Sequence, residues 1–502
     1  MAGWSGGEEP VPALVPLQRI GFDKRFALRV LENQEQDGVK AAAPEHDAKM
    51  PPSVRASSER EGCGGDETLR LKARDNTTNW WHLARVWFII ALTLAAVVWL
   101  EDVLASHGLS LWWGTPEWVL AILIIGASQH QLGGAIHEGT HSLLFANKRL
   151  NELASDWLAA FPIYTSTYQY RVHHLAHHQF VNDPNRDPDI SQLKDSDHWL
   201  DFPVTHIDIL RKLAKQLWLP NLFRFTLVRA RYSALGHEDN PYIDKSLRPN
   251  KWPVRAGIYF AVAVPFIVNY LIVFQSAAWA WGALVASYGG VMVYSALLPE
   301  RDFPQSRLRP VISHRTTSMS RMTFLFLLYA ALTEYDAGSG TTWAWDQFGR
   351  FWALPLFTSF PLFMMMRQWM QHGNADRGRY TNTRVFLAGP VMRYAVLPWG
   401  MDYHLPHHVM ASVPHYRLKE LHDVLMRVPE YREKATLVEG CLGGDDPHTG
   451  RPTILSVLGP AHAPRAKNAA FVDEATLEYV EVDNAAAIEG EARRSTDQGG
   501  SR

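Results

Sequence analysis

The sequence predicts an all-α integral membrane protein of four to six transmembrane helices, with a cytoplasmic helical cap that carries a histidine-rich site. Three observations lead there. Long, nearly uncharged apolar runs crowd the middle of the 502-residue chain, while both ends are polar. Nine of the 22 histidines fall in four short clusters, each at or near the end of an apolar run. Tryptophan, an interfacial residue in membrane proteins, is abundant at 19 copies and concentrated in the same middle region.

The flanks come first. The opening ~79 residues contain EEPVP, ENQEQDG and AAAPEHDAKMPPSVRASSEREGCGG. Such composition buries too little apolar surface to offset ordering, so the segment 1–79 reads as mostly disordered. A short ordered piece around Leu17–Leu31 is compatible with it. The start, MAGWSGGEEPVPALVPL, lacks the basic n-region of a signal peptide. From about Tyr431 the chain again turns polar, and 431–502 reads as a flexible tail with a short ordered element at Phe471–Val482.

Between them, 80–430 forms the membrane domain. Trp80 and Trp81 open it. Val86–Leu100, extended by Leu104, and Trp118–Ile136 make a helical hairpin around SHGLSLWWGTPE. Glu138–Lys251 is mostly polar, and its one apolar stretch, Trp157–Tyr164, is too short to cross. Val254–Phe274 and Ala277–Leu298 form a second hairpin. Met322–Leu332 and Phe351–Met366 are shorter; a third pair and tilted re-entrant segments both fit them. Arg301, Arg307, Arg309, Arg315 and Arg321 between apolar runs, with Arg171 and Arg186 beside the second histidine cluster, place these loops in the cytoplasm by the positive-inside rule. An even number of crossings then puts all four clusters on that side.

Other classes recede. A net charge of −2 gives no sign of a nucleic-acid partner. The two cysteines, Cys63 and Cys441, lie in the flanks; they support no disulfide framework and offer no thiolate ligand to the middle.

The histidines carry the chemistry. His137-Glu138-Gly139-Thr140-His141 places two imidazoles at i and i+4, on one helix face, where they can share a metal. Alone, the string also satisfies the zinc-peptidase pattern H-E-x-x-H. The second cluster, with His173, His174, His177 and His178, and the third, with His404, His407 and His408, repeat an H-x-x-H-H spacing. One zinc site needs three or four ligands. Eight or nine histidines at repeated spacings call for two metal ions.

At this point the chain resembles the membrane fatty acid desaturase superfamily, over roughly Trp80 to Leu425. HEGTHSLLF is similar to its first histidine box and YRVHHLAHHQFVNDPNRDPD to its second. RQWMQHG resembles the extra ligand segment, with Gln371 where that segment carries Glu, and DYHLPHHVMASVPHYRLKELH resembles the third box. The resemblance implies metal ligation by His137, His141, His174, His177, His178, His372, His404, His407 and His408. His173 falls outside the aligned box positions, and Asp402 and Pro406 stand where many relatives carry Asn and Glu. His82, His130, His314, His415 and His422 read as structural. Glu138, Asp183, Asp187, Asp189 and Asp402 are candidates to orient the ligands from behind, and a plain polar turn over Asn182–Asp189, which Pro184 and Pro188 favour, is the alternative for that stretch.

The resemblance further implies two iron ions, dioxygen as co-substrate, a lipid or acyl-thioester substrate, and an apolar acyl tunnel among the helices. Hydrogen is removed from adjacent carbons to leave a double bond. No fused heme motif, iron–sulfur cysteine set or flavin fingerprint is present, so a separate electron donor, ferredoxin or a b-type cytochrome, is expected. The membrane is a bacterial inner membrane or the endoplasmic reticulum. A hydroxylase, ketolase or epoxygenase on the same scaffold stays open, since it shares the first hydrogen removal. A membrane zinc metallopeptidase or a metal transporter leaves the fixed H-x-x-H-H spacings unexplained.

Overall fold

The computed structural model describes residues 65–235, 240–243 and 250–464. The ordered pieces expected at 17–31 and 471–482, and Cys63, lie outside the described residues. Helix α1 (Gly65–Lys72) already falls within the stretch read as disordered. It is ordered because Leu71 is fully buried and because Glu67 and Arg70 pair with Arg427 and Glu420.

Among the described residues, four helices are long and apolar enough to cross a membrane. They are α2 (Thr78–Ser106), the run Leu111–Thr140 that contains α3 (Thr115–Thr140), α9 (Trp252–Phe274) and α10 (Ala277–Leu297). Asp75 starts α2, its carboxylate accepting from the Thr77 and Thr78 amides at 2.7 Å each. Phe88 and Trp99 on α2, Phe266 on α9 and Leu297 on α10 stay exposed, giving these helices apolar outer faces suited to lipid. The third pair left open by the sequence is not among the four. Met322–Leu332 lies inside α11 (His314–Ser339), whose first two turns are polar. Phe351–Met366 breaks at Thr358, between Pro355 and Pro361, and resumes as α12 (Ser359–His372).

Helix α3 differs from the other spans: 67% of its apolar stretch is buried, against 17–22% of theirs. Close packing requires glycine at one place. A Cβ on Gly126 would lie 2.0 Å from Ser359 Oγ and 2.7 Å from the Phe360 amide, so α3 and α12 touch backbone to backbone. The polar triplet Gln129, His130 and Gln131 donates to carbonyls outside α12, while Gln129 Oε1, His130 Nε2 and Gln131 Oε1 have no partner. Gln129 donates to the Trp352 carbonyl, His130 Nδ1 to Ala395 and Gln131 to Tyr394.

The cap is built from α4 (Lys148–Ser155), α5 (Thr167–Phe180), α6 (Pro188–Asp195), α7 (His206–Gln216), α8 (Leu219–Leu235), α13 (His404–Val409) and α14 (Leu418–Leu425). The tail expected from Tyr431 is ordered through residue 464. Strand β1 (Val385–Leu387) pairs in parallel with β2 (Leu437–Glu439), and Tyr431, Val438, Val457 and Leu458 are buried against α12–α14. Four scattered apolar residues and a two-strand pairing leave no periodic trace in a polar sequence.

Candidate metal centre

Each histidine cluster sits at a helix end, and a buried arginine secures two of those ends. His137 lies in the last turn of α3 and His141 caps it. The last carbonyls of a helix lack intrahelical partners. Arg171 of α5, fully buried, supplies them: Nε donates to Thr140 and a terminal nitrogen to Gly139, both at 2.8 Å, and Glu152 of α4 neutralises its charge. Arg171 is therefore a buried strut and no free loop charge, which removes it from the orientation argument. Arg384 does the same for α12, donating to Met370 and Gly373 beside His372. The third box is held by the adjoining strand segment: Phe386 donates to Asp402, and Leu405 to Arg384.

All nine predicted ligands converge in two buried groups. His137, His141, His174, His178 and His407 form one; His177, His372, His404 and His408 form the other. Within each group, one ligand atom per residue lies within 4.8 Å of every other. Nε2 atoms face each other at 3.0 Å (His141–His174), 2.9 Å (His174–His178) and 3.2 Å (His178–His407). In the second group the values are 2.9 Å (His372–His404) and 3.2 Å (His404–His408). Imidazole nitrogens ~2.1 Å from a first-row metal stand ~3 Å apart at right angles, so the spacing fits shared coordination. His137 has no hydrogen bond at either nitrogen, which in a buried site argues for a missing electrophile.

The proton balance agrees. Burial, reinforced by neighbouring imidazoles, pushes His141, His174, His372, His404, His407 and His408 below the ordinary histidine range, so their lone pairs are available. At His177 burial also opposes the charge, but Asp187 and Asp189 outweigh it and push the ring up to about 9. His177 Nδ1 donates to Asp187 at 3.0 Å, so a metal would bind at Nε2 by displacing the second ring proton. Asp187 is itself held by the Asn182 and Asp189 amides. His372 Nδ1 meets the Asn382 carbonyl at 3.2 Å.

Of the five carboxylates expected behind the ligands, three are there. Asp187 bonds His177; Asp189 lies 3.6 Å from His177 and bonds His173 at 2.7 Å; Glu138 lies 3.5 Å from His137. Two are not. Asp183 is taken by Arg186 and Arg377, and Asp402 by Arg393. His173 joins neither metal group. Glu138 accepts from the His415 amide, a setting for a supporting carboxylate and not for the water-activating base of a zinc peptidase. The five histidines read as structural have such settings. His415 bonds Asn79, His422 bonds Tyr431, His130 bonds Ala395, His82 packs on His415 and His314 on Tyr168.

Arg367 and Gln368 open the segment RQWMQHG, but sequence reasoning assigned them no role of their own. Both line, with His137, Tyr170, His174, His177, Asp189, Gln371, His372, Met401 and His404, a cavity of about 10 Å³ against the rings. Gln371 donates to the Met401 carbonyl. Only the position of Arg367 five residues before His372 marked it. A separate apolar cavity of about 340 Å³ lies among Trp87, Leu94, Phe324, Leu328, Phe351 and Trp352.

With two histidine nests in place, comparison with known proteins becomes decisive. Residues 113–332 and 300–437 match the family model described as fatty acid desaturase, well over half of the chain. The chain belongs to the fatty acid desaturase family. Family membership accounts for the order of the four histidine segments. A dihydrorhizobitoxine desaturase from Bradyrhizobium elkanii is 36% identical over 80 residues, 16% of this chain and 22% of that protein. The Delta(5) fatty acid desaturase fat-4 of Caenorhabditis elegans is 30% identical over 103 residues, 20% of this chain and 22% of that one. The matches thus span about a fifth of the length of these curated relatives.

Proposed function

We propose that this protein is a membrane-bound oxidase of the desaturase type that introduces a double bond into an acyl substrate. The observation that carries the reading is the pair of buried nests, five and four imidazoles, within a desaturase-family chain. The nine histidines would hold two iron ions, which supply dioxygen activation and hydrogen removal when reduced by an outside donor such as ferredoxin or a b-type cytochrome. The chain's own part is positional. Arg171 and Arg384 lock two helix ends, Asp187 orients His177, and burial keeps most rings unprotonated. Among the membrane helices, the 340 Å³ apolar cavity offers room for hydrocarbon.

The same reading puts the nests on the cytoplasmic face. Arg301, Arg307 and Arg309 between α10 and α11 support that side, while Arg171 no longer counts. The relatives' names give two substrate types for testing here, dihydrorhizobitoxine and a fatty acid. The test is metal content of detergent-purified protein together with product mass. About two irons per chain, and a product lighter by two hydrogens, support the proposal. A product heavier by one oxygen assigns a hydroxylase, and zinc in place of iron ends the oxidase reading.

A further inference from the structure

Among the described residues, Arg367 is a buried charge with no partner. It is 7% exposed, and no hydrogen bond or ion pair reaches it among the described residues; its Nε is buried without a partner. An arginine stays charged at any accessible pH. Buried charges in folded proteins are paired or ligated, because stripping their water is costly. One helical turn on, Gln371 is neutral and turned to the Met401 carbonyl. The nearby carboxylate, Asp189, is occupied by His173 and by Gln368 at 2.5 Å. Arg229 of α8, whose Cζ lies 5.7 Å from the Tyr170 ring, is near enough for Arg367's charge to act on it, so a second cation flanks the site. Asp189 offsets part of the positive charge around the site, but no carboxylate pairs with Arg367 itself.

Arg367 also faces the reaction space. It lines the same small cavity as His137, His174, His177, His372 and His404. At about 10 Å³ that cavity has room for roughly one water-sized group. An oxygen held there lies beside the metal-facing rings, and the rest of an acid enters only as the side chains lining the cavity move aside.

We propose that Arg367 is a carboxylate-binding residue for the substrate, so that the enzyme acts on a free acid whose oxidised carbons lie within a few bonds of the carboxylate. This deepens the desaturase reading and rests on it for the word substrate. An ester or thioester carbonyl carries no charge to balance the guanidinium, and a distant headgroup does not reach it. Planar guanidinium and carboxylate make paired, charge-assisted hydrogen bonds.

The test uses the full chain in detergent, iron-loaded and again after chelation, with hexanoate as probe and hexanamide as its neutral counterpart. Hexanoate is expected to bind both forms saturably. Hexanamide, and hexanoate with R367Q, are expected to bind about tenfold to a hundredfold more weakly, and R367K to fall between. Without ligand, R367M is expected to melt no lower than wild type, since it removes an unbalanced buried charge, whereas a structural role predicts a lower melting temperature. Unchanged hexanoate affinity in R367Q overturns the proposal. So does binding that vanishes on chelation but survives in R367Q, because the carboxylate then sits on the metals. Chloride competing as well as hexanoate reduces the site to a general anion hole and overturns the substrate assignment. If the R367Q protein does not fold, the hexanoate–hexanamide comparison on wild type and the R367K affinity carry the test. Hexanoate bound through Arg367 in a protein that forms no alkene sinks the desaturase reading alone; alkene formation with unchanged R367Q binding sinks the carboxylate site alone.

Discussion

The two histidine groups are built on different principles. The five-ring group draws on α3, α5 and α13, and its outward nitrogens are largely bare: Nδ1 of His137, His141 and His407 have no hydrogen-bond partner. The four-ring group draws on α5, α12 and α13 and is braced from behind at two rings, His177 by Asp187 and His372 by the Asn382 carbonyl, while Nδ1 of His404 has no partner. One group is defined by the number of its rings, the other by what holds fewer rings in place. Fewer protein ligands leave a coordination position for a reactant. Gln368, Gln371 and Asp189, which line the cavity, stand nearest the braced group's residues in sequence or by contact.

That contrast sets the expected sensitivities. His404→Ala reduces the four-ring group to three and should cost one bound iron per chain and more than about a hundredfold in product formation. His141→Ala leaves four rings and should retain more metal; equal losses, measured as iron per chain, would erase the distinction between the groups. Next comes the strut behind the five-ring side. Arg171→Met strands the Glu152 carboxylate in the interior and should destabilise the fold by about 3–5 kcal/mol in detergent denaturation. A change under about 1 kcal/mol would mean the strut carries little load.

Asp187→Ala should weaken iron retention by about 10- to 100-fold, because it frees the His177 ring to rotate. Asp189→Ala should do less, and Asp183→Ala nearly nothing, since Asp183 serves Arg186 and Arg377. An Asp183→Ala effect equal to Asp187→Ala would show that the loop, and not the carboxylate, matters. A separate effect, read in stability and not in metal content, is at the seam that carries both groups. Gly126→Ala pushes α3 from α12 and should cost about 1–3 kcal/mol. A neutral melting temperature would show that the two helices can part without strain.

The sequence by itself marked four long apolar runs and nine candidate ligands. Long apolar runs have one stable environment, and the H-x-x-H-H spacing repeats because a helix turn sets it, so both are local signals. The four long runs, the nine rings and Asp187 as one of five candidate carboxylates were within reach of local reading, whereas the choice between a third pair and re-entrant segments was not. The tertiary structure decided what depends on chain segments far apart. It joined Arg171 to the carbonyls of α3, turned Asp183 and Asp402 to arginines instead of histidines, and ordered 431–464 through burial of a few isolated side chains. It also divided nine histidines into five and four, and left Arg367 unpaired beside them. Charge balance and coordination are sums over neighbours in space, and linear order does not encode which neighbours a buried group will meet.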